Sequence, residues 1–371
     1  MQRNNYTVTR SSRRIRGVRI GAAVAAVVGA SGIGTLAMAT TSSASIQDFN
    51  EPGNILIADQ FNNRIVEVDG HQVVWSFGDG SSVAGPHSVV GPNDVQRVGN
   101  FTLIAGTGTP AGADPSCTNP SGCVDNRVLL VNKWGKIVWQ YGQAGVTGSG
   151  FDQLSAPVQS TWLPHGDVLI TDQGNSRVIE VNRAHHIVWQ YGITGSPGAG
   201  FNQLNNPNSA ELLWNGHILI ADENNNRVIE VTRSHQIVWQ YGSPSDTTTL
   251  NGAAFASRLP NGDTLITDSL NNRVVEVSKA KAVVWTYVTN LRTGSMANPN
   301  PTRAIRLENG LTVISDQYND QVIVVNHNGQ IVFQIGQIQV DGNGFNQLNA
   351  PYDAKVVGDY TGLTPPFGWG D

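Results

Sequence analysis

Short apolar runs alternate with short polar turns along most of this chain, and the alternation repeats about every 50 residues. The clearest copy is HILIADENNNRVIEVTRSHQIVWQYG, residues 217–242. Within it 218–221, 227–231 and 237–241 are rich in aliphatic, β-branched and aromatic residues and read as strands, with polar turns at 222–226 and 232–236. A fourth strand precedes each trio, at 157–163, 207–213, 253–259 and 301–307. Copies begin near Asn54, Asp167, His217, Thr264 and Leu311, and one interrupted by an insertion runs over 101–142. Self-similarity at this period marks a repeat architecture, in which each unit buries its apolar faces only against its neighbours.

Four antiparallel strands per repeat make a propeller blade, so the expected fold is an all-β ring. The fourth-strand aromatics Trp75, Trp139, Trp189, Trp239, Trp285 and Phe333 count six blades. The copy at Asn54 has little room for an inner strand ahead of it, whereas 352–357 reads as an inner strand without companions. Its lead-in, FNQLNAP at 345–351, matches FNQLNNP at 201–207. Residues 352–357 are therefore expected to complete the first blade, closing the ring and hiding both open edges. Composition agrees: 41 glycines and 17 prolines suit many short strands joined by turns.

The turn between the second and third strands carries Asp222-x-x-Asn225-x-Arg227, repeated as Asp59, Asn62, Arg64; Asp172, Asn175, Arg177; and Asp268, Asn271, Arg273. With the Val-x-Glu-Val that follows, this resembles the NHL repeat over about 300 residues. The resemblance implies a six-bladed propeller; for function it implies only a range, from binding modules to lyases and hydrolase-like enzymes. Two copies depart from the pattern. The last has Asp316 and Asn319 but Gln321 for the arginine, and the second has Gly106 for the aspartate and keeps Asn126-Arg127 after its insertion.

Residues 1–44 differ in kind. Six arginines precede a small, apolar run over 20–38 and a polar stretch with a cleavage-like Ser42-Ser43-Ala44, which reads as an export signal, with Ser12-Arg13-Arg14 similar to a twin-arginine motif. One propeller domain is expected over 45–371, secreted or at the cell surface, monomeric and outside the membrane. Without those arginines, 17 Lys+Arg stand against 28 Asp+Glu, a net charge of −11. An acidic chain without Lys/Arg clusters is a poor partner for nucleic acid. The only cysteines, Cys117 and Cys123, are expected to close a small disulfide loop in the insertion, worth about 2 kcal/mol.

The repeated polar set invites a calcium reading, but 222–227 lacks the glycine of such loops. Structural fixing of each turn by its own Asp, Asn and Arg is the expectation. Glu67, Glu180, Glu230 and Glu276 recur by blade and are expected to be paired or solvated, and the tryptophans to fill the space between blades. Function belongs where blades differ. The long loops 78–91, 142–156, 192–206, 242–252, 288–300 and 336–350 and the 107–125 insertion share one face. There the first inner-strand residues differ from blade to blade: Asp353, Asp94, Gln159, Ser209, Phe255 and Arg303, preceded in two blades by Tyr352 and Asn208. Asp94, Gln159, Asn208, Ser209, Arg303, Tyr352, Asp353 and the loop residue His87 are the candidate ligand-binding residues. Of the histidines only His87 is expected on the long-loop face, too few imidazoles for a zinc or multi-histidine site.

The expected function is binding of a small ligand or protein through that face and the channel mouth. The alternative is a lyase or hydrolase using Asp94, Asp353, Arg303 and His87 around the channel mouth, with the carboxylate pair near the arginine for acid–base work. No organic cofactor is expected; a divalent cation in the channel is the one metal reading left open.

Overall fold

A computed structural model describes residues 48–366. The leader expected over 1–44 lies outside them.

The strands form six four-stranded antiparallel sheets. In the first, Pro351–Val356 pairs with Ile55–Asp59, which pairs with Arg64–Asp69 and then Gln72–Phe77. The chain therefore closes its ring as the sequence predicts, by joining its two ends in one blade. The remaining blades run over 92–141, 157–191, 209–242, 253–288 and 303–335. Strand limits follow the apolar runs to within two residues or so: 227–231 is found as Arg227–Val231, and the inner strand foreseen at 207–213 as Ser209–Leu212.

Six apolar clusters hold the ring together, each seated between two adjacent blades rather than inside one. Val228 and Ile229 show why. They are adjacent on one strand, point to opposite faces of a sheet buried on both sides, and enter different clusters. The expected packing role of the fourth-strand aromatics holds as well. Trp75, Trp139, Trp189 and Trp285 each donate an indole N–H to a turn carbonyl of the next blade, at 2.8–3.4 Å.

The Asp-x-x-Asn-x-Arg turn is a structural latch. Asp222 Oδ2 accepts from Asn225 (2.7 Å) and Arg227 (2.7 Å), and Oδ1 accepts the Asn205 amide of the incoming loop (2.8 Å). Asp59, Asp172 and Asp268 repeat this set. The following left-handed residue ties the turn to the next blade: Asn226 Oδ1 accepts Gly252 N–H, and Asn63, Asn126, Asn272 and Asp320 do the same for their neighbours.

Both irregular copies are repaired by residues from elsewhere. In the last blade Arg292, on the loop before it, pairs with Asp316 and reaches Gln321 Oε1 (3.0 Å). In the second, Asp125 returns from the insertion, accepts Val90 N–H (2.7 Å) and pairs with Arg127 (2.6 Å). Gly106 makes room for it, since a Cβ there would lie 2.6 Å from Asp125 Cγ. Gly106→Ala is therefore expected to lower unfolding free energy by about 1–3 kcal/mol, a loss a urea titration would register; an unchanged midpoint would mean that Asp125 moves aside freely. The insertion carries the expected Cys117–Cys123 disulfide (Cα–Cα 5.8 Å) and docks on the first blade through Asp114, which accepts from Asn63 Nδ2 at 2.7 Å.

The recurring glutamates are paired: Glu67 with Arg97, Glu180 with Arg233, Glu230 with Arg258 and Glu276 with Arg306. Each of these guanidinium groups also lies over the tryptophan opposite its glutamate, 4.6–5.2 Å from the ring centre. The histidine turns are less remote from the long loops than strand order alone suggests. His185 approaches Asp152 (3.1 Å) and His71 approaches Asn346 (3.2 Å), so these outer turns meet the loops that enter their own blades from the preceding one. The twist of each sheet carries its outer strands far from the direction of the inner one.

Candidate functional site

Each inner strand begins at the long-loop face and runs down the channel. In four blades a register shift just inside its start, as between Pro157 and Gln159, turns the next side chain to the axis. The residues singled out by the sequence therefore do line the channel, but most of them are occupied by the ring itself. Asp353 Oδ2 accepts Val95 N–H (3.1 Å), Asp94 Oδ2 accepts Ser160 N–H (3.1 Å), Gln159 Oε1 accepts Ala210 N–H (2.8 Å), and Ser209 Oγ accepts Ala256 N–H (3.3 Å). Inner strands have no partner strand on the channel side, so their amides need acceptors, and the preceding blade supplies them.

Asp94 and Asp353 come together as foreseen, but around Lys355 rather than Arg303. Lys355 Nζ donates to Asp94 Oδ1 (2.6 Å), Asp353 Oδ2 (2.7 Å) and Val95 O (2.9 Å). Burial pushes the Asp94 carboxyl up to about 7 against the pull of the Lys355 ammonium, and the nearby Asp353 adds to the rise. Burial works to lower Lys355, but the two carboxylates outweigh it and hold the ammonium above the usual lysine value. A divalent ion between these carboxylates would have to displace that ammonium.

Arg303 makes no ion pair among the described residues. Its guanidinium donates to Asn208 Oδ1 (2.9 Å) and to the carbonyls of Val158, Asn208, Ala254 and Thr302 (3.1–3.4 Å), between the rings of Phe255 and Tyr352. It is a cationic bolt across the channel. Asp94, Asp353 and Arg303 are each 1 % exposed or less. The hollows beside Lys355, Trp239, Phe345 and Trp162 have none of the three on their walls. His87 is exposed on its loop and belongs to no such group.

At the far end the chain closes its own channel. After the last inner strand, residues 357–366 cross the opposite mouth, where Thr364 gives its N–H and hydroxyl to Glu211 (2.8 and 2.5 Å) and accepts Gln96 Nε2 on its carbonyl (3.1 Å). Glu211 also receives Gln159 Nε2 at 2.8 Å.

The mouth on the long-loop face carries the residue that follows each turn aspartate or its equivalent: Gln60, Thr107, Gln173, Glu223, Ser269 and Gln317. A chain of amides joins several of them. Gln317 Nε2 donates to Gln60 Oε1 (2.8 Å) and Gln60 Nε2 to Asn93 Oδ1 (2.8 Å). On the other side Gln173 (3.1 Å) and Asn208 (2.9 Å) both donate to Glu223 Oε2, and Asn208 Nδ2 reaches the Tyr352 hydroxyl (2.8 Å). Burial raises the Glu223 carboxyl, opposed by the Asn208 hydrogen bond and then by the Arg303 charge. Burial likewise pushes the Tyr352 phenol up to about 12. Glu223 is partly exposed and is the one carboxylate among these six positions. Sequence reasoning found Asn208 and Tyr352 but missed Glu223 and the glutamines, although a variable residue inside an otherwise constant turn motif was a readable sign of them.

Elsewhere His165, Asp167 and Glu180 bring three ligand-type atoms within 4.8 Å of one another, but Glu180 is also held by Arg233. No helix among the described residues is long and apolar enough to cross a membrane.

No protein-family model and no curated protein sequence matches the chain, so the likeness to the NHL repeat stands on its motif residues. Solved structures do match. A protein of unknown function from Bacteroides caccae aligns over 82% of this chain and 98% of its own, at 16% identity and a TM-score of 0.56. A streptogramin B lyase aligns over 78% of this chain and 80% of its own (13% identity, TM-score 0.48), and virginiamycin B lyase from Staphylococcus aureus over 68% and 75% (14%, 0.45). The protein is a six-bladed β-propeller, and similarity at this level speaks to fold alone.

Proposed function

We propose that this protein is an exported binding propeller that takes a polar ligand, or a polar segment of a protein, at the channel mouth on its long-loop face. The observation that carries the reading is two groups of bonded amides at that mouth, Gln317, Gln60 and Asn93 on one side and Gln173 and Asn208 on the other, the second holding Glu223, whose side chain keeps part of its surface exposed. Amides offer donors and acceptors together, and Glu223 selects for a group rich in donors, such as an ammonium or an amide. The catalytic alternative draws less support, because Asp94 and Asp353 are almost wholly buried and spent on Lys355 and on backbone amides. The disulfide suits an oxidising compartment, and the net charge argues against nucleic acid.

A thermal-shift screen of small amines, amides and short peptides tests this. A ligand at about 100 times its Kd stabilises by about 2.7 kcal/mol. Cationic hits are expected to raise the melting temperature of the parent protein and to lose that effect in Glu223→Gln. Hits indifferent both to this change and to Gln60→Ala would place binding elsewhere.

A further inference from the structure

On the opposite face, between the fourth and fifth blades, lies an open groove of about 340 Å³. Trp214, 75% exposed, stands beside it in the turn between the first and second strands, where sibling blades have Pro164, Pro260 and Glu308. The repeat does not require an indole there. Trp239 forms a second aromatic wall. Its indole N–H is buried without an acceptor, whereas Trp75, Trp139, Trp189 and Trp285 each reach a carbonyl of the following blade. The regular seam between blades is thus incomplete at this groove.

Polar groups fill the gap between the two rings. Glu230 is fixed by Arg258 (2.9 Å), by His217 (2.8 Å) and by Asn215 Nδ2 (3.0 Å). Lys279 lines the same groove and has no ion pair among the described residues. Glu230 and Arg258 neutralise one another, so Lys279 is the unpaired charge on the groove's walls, with Asp263 near Arg258 just outside them.

We infer that this groove binds an acidic saccharide, a pyranose ring bearing a carboxylate. A pyranose has a flat face of C–H groups and an edge of hydroxyls. An exposed indole packs against the first, and planar amide and carboxylate groups held in place by their neighbours bond the second. The Lys279 ammonium meets the sugar carboxylate. An uncharged peptide or lipid chain would use the aromatic walls but leave the Lys279 ammonium without a counter-ion. The site is separate from the channel mouth and does not depend on the function proposed there.

The test is a tryptophan-fluorescence titration of the whole chain, at physiological ionic strength, with a hexamer of galacturonic acid and with cellohexaose as the uncharged counterpart. A saturable change is expected with the acidic hexamer and a much weaker response with cellohexaose. Trp214→Ala is expected to weaken binding about tenfold, as is Lys279→Met, while Trp134→Ala, at another exposed indole, leaves it unchanged. Trp214 is a surface residue, so circular dichroism of that variant should match the parent. No saturable change with the acidic hexamer, equal affinity for cellohexaose, or binding indifferent to Trp214→Ala would each overturn the assignment.

Discussion

Replacing Lys355 with methionine is expected to lower unfolding free energy by about 3–5 kcal/mol at pH 8, and by distinctly less at pH 5. The reason is the uncompensated charge left behind. With the ammonium gone, Asp94 and Asp353 face each other in a buried channel. The Asp94 carboxyl already stands at about 7 with Lys355 in place, and loss of that attraction drives it higher. A carboxyl whose folded pKa lies above its unfolded value of 3.8 contributes stability that is fully present below about pH 4 and is lost as pH rises through the folded pKa. In the parent that decline runs from about pH 4 to pH 7; in the variant it continues above pH 7. Urea titrations at pH 5 and 8 measure the difference. Equal losses at both pH values would show that Lys355 contributes packing rather than charge. Adding Asp94→Asn should recover part of the loss, since an amide oxygen still accepts Ser160 N–H.

Arg292→Ala is the second large effect, about 3 kcal/mol at pH 8 by the same logic of a broken buried pair, discounted because Arg292 is partly exposed. Burial pushes the Asp316 carboxyl up to about 6 even against the Arg292 charge. Its stabilising contribution therefore falls between about pH 4 and pH 6 in the parent, and removal of Arg292 extends the fall to higher pH. The deficit should be small at pH 5 and large at pH 8. Gln321→Arg supplies a rescue, because Gln321 pairs with Asp316 in the register that places Arg227 opposite Asp222. Failure of Gln321→Arg to restore stability at pH 8 would mean that Arg292 does more than replace the missing arginine.

The two predictions concern residues that are unequally legible in the sequence. Lys355 lies two positions beyond Asp353 and so on the same side of its strand. Alternation is enough to put it on the channel side, yet the charges singled out from the sequence are Asp94, Asp353 and Arg303. Arg292 could not be read at all, because nothing in a loop sequence tells which turn its guanidinium will reach. Asp125 is intermediate. It precedes Asn126-Arg127 directly, but that it replaces the aspartate missing at Gly106 depends on how a long insertion returns to its blade.

The sequence by itself determined the blade count, the four strands of each blade, the closure of the ring by its two ends and the disulfide. Those features rest on local periodicity, turn chemistry and repetition, which a chain carries in one dimension. The tertiary structure decided which channel residues remain available. Channel-facing inner-strand amides have no strand beside them, and for Val95, Ser160, Ala210 and Ala256 the acceptor is a side chain of the preceding blade, from about 50–65 positions away or from the other end of the ring. Asp94, Gln159, Ser209 and Asp353 are consumed in this way, and Arg303 by four carbonyls. Glu223 at the long-loop mouth and Trp214 beside the groove on the other side keep exposed surface, and the two proposed sites are built on them.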